Sequence, residues 1–72
     1  MKLSERIAQA GAAAAELRAS ADPARATLGR RVEALAIEAD ELLRSGQATW
    51  ATRVLSRARA LLRESEGAAN EG

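Results

Sequence analysis

Seventy-two residues with a net charge of +1, no Cys and no His exclude disulfide frameworks, thiol and His-based catalysis, and zinc sites of the usual kind. The near-neutral balance supplies no global pull toward nucleic acid or an anionic membrane. A single core in so short a chain contributes only about 3–5 kcal/mol, so self-association or a partner is the one remaining source of extra stability.

Alanine makes up about a quarter of the chain and Trp50 is its only aromatic residue, a composition that favours helices over strands. No cofactor and no metal are expected. Lys2 precedes an Ala-rich run and Ala19-Ser20-Ala21 imitates a cleavage site, but Glu5, Arg6, Gln9, Glu16 and Arg18 interrupt any apolar targeting segment. With no run of about 18 apolar residues either, a cytoplasmic protein with no membrane partner is expected.

The first helix is expected to begin near Ser4 as N-cap, with Glu5 complementing the helix dipole in the first turn. Its apolar stripe is Leu3, Ile7, Ala10, Ala14 and Leu17. Alanine fills the middle of that stripe and Gly11 interrupts the helix at a cost of about 1 kcal/mol, so this is the weaker element.

Asp22-Pro23 marks the second start: Asp caps free amides, and proline at the first helical position forfeits no hydrogen bond. From there to Arg44 the stripe Leu28, Val32, Leu35, Ala39 and Leu42 alternates steps of four and three, which places it on one helical face. Gly46 follows as a stop, and two or three connecting residues force the next helix to run antiparallel.

The third helix is expected from about Gln47 to Glu66, with Ala51, Leu55, Ala58, Leu62 and Ser65 facing its neighbour. Gly67 should end it and leave residues 67–72 as a flexible tail. The expected fold is all-α: an antiparallel helical hairpin (about 23–44 and 47–66) with a weaker N-terminal helix, together a small three-helix bundle. Residues 1–66 then form one helical domain.

Around the turn, Leu35, Ala39 and Leu42 before Gly46 and Ala51, Leu55 and Ala58 after it resemble a single tetratricopeptide-type hairpin. The chain departs from that pattern at the closing proline, which is Arg63 here, and at the aromatic positions. Such units form a concave peptide groove only when about three stack. In size and outline the chain also resembles small helical co-chaperones of secretion-system subunits.

Three surface features are candidates for function. Ile37 lies opposite the second helix's stripe, among Arg30, Glu33, Glu41 and Arg44; with Ala34 it either touches the first helix, faces water or anchors a partner. Trp50, Val54 and Leu61, with Arg57 between them, widen the apolar arc of the third helix to about 160°, more than one neighbouring helix covers. Either the first helix, a partner helix or a second copy must complete that cover.

Arg53, Arg57, Arg59 and Arg63 form the third feature. Residues 48–55 superficially echo a repressor recognition helix, but the interval from Gly to Thr is too short and the preceding helix too long for that motif. Glu33, Glu38, Asp40 and Glu41 on the second helix are expected to stand beside these arginines as complementary surface charge. Catalysis is not expected, because so short a bundle should leave no cleft of about 300 Å³.

The sequence thus favours a small protein–protein interaction module, an adaptor, co-chaperone-like or regulatory subunit, that binds a partner helix through Trp50, Val54, Arg57 and Leu61, with Ile37 as a further contact. The alternative is a homo-oligomeric structural or assembly protein. Nucleic-acid binding through the third helix's arginines ranks below both.

Overall fold

The structure, a computed structural model, describes the backbone of residues 2–71 and the side chains of residues 2–65. It is a small three-helix bundle of α1 (Leu3–Arg18), α2 (Pro23–Arg44) and α3 (Ala48–Glu71), with no strand among the described residues. The molecule is elongated, 40 × 19 × 17 Å, because its length is set by α2 and α3. α2 is the central helix: α1 and α3 each pack broadly on it and touch each other far less.

The start of α2 forms as its residues dictate. The Asp22 carboxylate accepts a hydrogen bond from the Ala24 amide at 3.0 Å, and Pro23 occupies the first turn. At the other end, Gly46 adopts φ +82°. The Gln47 amide then donates to the Leu42 carbonyl at 2.8 Å and the Gly46 amide to the Leu43 carbonyl at 3.1 Å. These two bonds are the Schellman pattern, which satisfies the last carbonyls of α2 and reverses the chain.

Two helix boundaries differ from expectation. α1 begins at Leu3 with Lys2 in the N-cap position and no side-chain cap, so Ser4 lies inside the helix and does not cap it. α3 continues through Gly67 to Glu71. An interior glycine is a modest penalty, and the Ala68-Ala69 that follow are the strongest helix formers. The side chains of the expected tail, residues 67–72, lie outside the described residues.

The α1 stripe is buried as its spacing predicts, with Ile7, Ala10, Ala14 and Leu17 inside and Leu3 partly covered. The same holds for Ala51, Leu55 and Ala58 of α3. The α2 stripe needs correction: Val32 and Ala39 are buried, but Leu28, Leu35 and Leu42 are only half-buried, while Ala26, Gly29 and Ala36 are inside. A helix wedged between two others buries the arc between both contacts, and here that arc is rotated toward α1.

Close approach of α1 explains the rotation. A Cβ on Gly29 would lie 2.7 Å from the Arg18 amide nitrogen and 2.8 Å from the Ala14 carbonyl oxygen. Only glycine allows the two backbones so near, and the alanines around it carry the contact along both helices. The core is accordingly small at its centre: seven of its eleven buried apolar residues are alanine, and Val32 is the largest side chain fully enclosed.

Candidate protein-interaction edge

The position of α1 decides what the edge of α3 can do. α1 approaches α3 along a groove lined by Arg6, Gln9 and Ala10 on one side and Arg59 and Leu62 on the other. Near its C-terminal end a second groove separates Ala13, Glu16 and Leu17 of α1 from Leu62 and Ser65 of α3. Residues 50, 54, 57 and 61 fall about 110–170° around α3 from the line of Arg59 and Leu62. They therefore stand on the flank away from α1.

Trp50 is 56% exposed, held in the first turn of α3 just after the Gly46 reversal. The Arg53 guanidinium lies over its ring, 5.0 Å from the centroid, a cation–π contact one helical turn along. Val54 is half-buried against the cluster of Ile7, Ala10, Ala36, Ala39 and Leu55. Leu61 is half-buried against Ala14, Val32 and Ala58. Arg57 between them is exposed.

Sequence reasoning missed the α2 half of this surface. Leu28, Leu35 and Leu42 each precede by one residue a position that faces α1 or the central core, so they turn about 100° away from α1, toward the same flank as Val54 and Leu61. Leu35, like Leu61, packs against the cluster of Ala14, Val32 and Ala58. The result is a two-helix apolar face, with Leu28, Leu35 and Leu42 from α2 and Trp50, Val54 and Leu61 from α3. Their heptad spacing was legible; their exposure was not, because it depends on where α1 docks.

Ile37 is 54% exposed and separate from this face. It borders an open groove of about 510 Å³ between α1 and α2, with Ser4, Ala8 and Gly11 across from it and Asp40, Glu41 and Arg44 beside it. The expectation that no cleft approaches 300 Å³ is thus corrected. Small residues on α1 leave the space: a Cβ on Gly11 would meet nothing within 4 Å.

The expected pairing of α2 acids with α3 arginines is also corrected. Among the described residues the ion pairs are Arg18 with Glu33 and Arg44 with Asp40. Glu33 faces α1 and takes its partner there, and Asp40 pairs one turn along its own helix. Arg53, Arg57, Arg59 and Arg63 are exposed and spread around α3, which gives no single basic stripe.

No group of three or more acidic residues among those described could hold a metal ion, and no described helix is long and apolar enough to cross a membrane. No family model, curated protein or solved structure matches the chain.

Proposed function

We propose that this protein is a small helical interaction module whose working surface is the α2/α3 face centred on Trp50, Val54, Arg57 and Leu61. The observation that carries this is the docking of α1 on the opposite flank, which leaves Trp50, the chain's only aromatic residue, exposed beside a row of leucines that are only partly buried. Trp and Arg are residue types enriched among those that dominate binding energy at interfaces, and here Trp50 stands at one end of the face and Arg57 on its margin. An amphipathic helix is the shape that a two-helix groove accepts, through anchors spaced at three and four residues.

The role is that of an adaptor, co-chaperone-like or regulatory subunit, and binding through this face requires no catalytic step. Nucleic-acid binding finds less support, since the arginines of α3 point in several directions and Arg53 is engaged by Trp50.

Site-specific photo-crosslinking in cells tests the proposal. A benzophenone side chain in place of Trp50 should give a discrete adduct, while the same group in place of exposed Ala60 gives little. Equal adducts from both positions, or none from either, would overturn the assignment.

A further inference from the structure

The two margins of the apolar face carry opposite charges in matching order. Arg31 and Glu38 stand seven residues apart on the outer margin of α2, and Arg57 and Glu64 stand seven apart on the outer margin of α3. Counted from Gly46, Glu38 and Arg57 lie eight and eleven residues away, and Arg31 and Glu64 fifteen and eighteen. Each acid–base pair is thus staggered by the same three residues, about 4.5 Å along the helices.

Within one molecule these partners are on opposite sides of the leucine rows, and neither pair is among the described ion pairs. Rotation by a two-fold axis parallel to the helices swaps the margins while keeping the levels. Glu38 then faces the partner subunit's Arg57, and Arg31 faces the partner subunit's Glu64. Charges of this kind flanking an apolar seam set partner choice and orientation in paired helices.

From these observations we infer that the occupant of the face is a second copy of this chain, with α2 of each copy against α3 of the other. The inference deepens the proposed function and rests on it. Complementary charge at both margins supports it, since the two-fold sets each acid of one copy against an arginine of the other. So does composition, because the assembly would enclose Leu28, Leu35, Leu42, Val54 and Leu61, which a single copy buries only in part.

Sedimentation equilibrium of the full chain provides the test, with Glu38→Arg, Arg57→Glu and the double variant, all at exposed positions that leave the fold intact. The wild type should show twice the 7.6 kDa chain mass. Each single reversal should weaken association about tenfold, and the double variant should return to within about threefold of wild type. A single-chain mass at every concentration overturns the second copy as occupant. A double variant weaker than either single one, or rescue of Glu38→Arg by Arg31→Glu instead, overturns this pairing of α2 with α3. Crosslinking from position 50 separates the levels: an adduct with a different protein leaves the interaction face standing and removes the second copy, whereas no adduct at all removes both.

Discussion

Gly29 sets the distance between α1 and α2. Alanine is favoured over glycine inside a helix by about 1 kcal/mol, so Gly29→Ala would stabilise the protein if space allowed. A Cβ there would instead meet two backbone atoms of α1 at 2.7 and 2.8 Å, which cannot yield as a flexible side chain can. Net destabilisation by about 1–3 kcal/mol is expected in urea unfolding, while Gly11→Ala, which meets nothing, should stabilise by about 0.5–1 kcal/mol. The hairpin seam gives a parallel test. Ala51→Leu and Ala58→Leu should each cost about 1–3 kcal/mol by overpacking fully enclosed sites, with exposed Ala60→Leu nearly neutral. Equal stability for these three variants would remove the assigned orientation of α3. The seam alanines could be read from spacing alone. Gly29 could not: in the sequence it sits inside a helix pattern with no turn to justify it, and its reason is the backbone of Ala14 and Arg18, fifteen and eleven residues away.

At the scale of elements, the Gly46 reversal fixes the hairpin. Its φ of +82° costs a residue with a Cβ about 1–2 kcal/mol, so Gly46→Ala should lower stability by about that amount in thermal unfolding without altering helix content. An unchanged melting curve would show that the turn is not held in this conformation. α1 is the element expected to open first. It contributes Ile7 and Leu17 as its large buried side chains and otherwise packs through alanine, and its link to Glu33 through Arg18 is exposed. Its amides should exchange with solvent before those of the α2/α3 seam in native-state hydrogen exchange; uniform protection across all three helices would show one cooperative unit. The three helices, the turn and the α1 stripe were written in periodicity, caps and glycine. Which flank α1 would cover was not, because Leu28, Leu35 and Leu42 of α2 have the same spacing whether they meet α1, α3 or solvent.

For the whole molecule, the unusual feature is the distribution of side-chain size. Alanine and glycine bring the helices close at the centre, where Ile7, Leu17, Val32 and Leu55 are the larger buried side chains, and Leu28, Leu35, Leu42, Val54, Leu61 and Trp50 stand around the α2/α3 flank. A chain this short, stabilised by so small a centre, gains where another helix pair covers that flank: removing several hundred Å² of apolar surface from water contributes several kcal/mol at about 25 cal/mol per Å², before the cost of association. Val54→Asp and Leu61→Asp should then separate the copies or abolish partner capture, whereas Arg59→Ala on the α1 side should change little. The most direct measurement is the emission of Trp50, the only tryptophan, on dilution of the wild-type chain. Burial of the face by a second copy predicts the short-wavelength emission of an enclosed indole at high concentration, moving to longer wavelength as the copies part, with Val54→Asp already at the long-wavelength limit. Emission fixed at that of an exposed indole over the whole accessible concentration range, and identical in Val54→Asp, would contradict it.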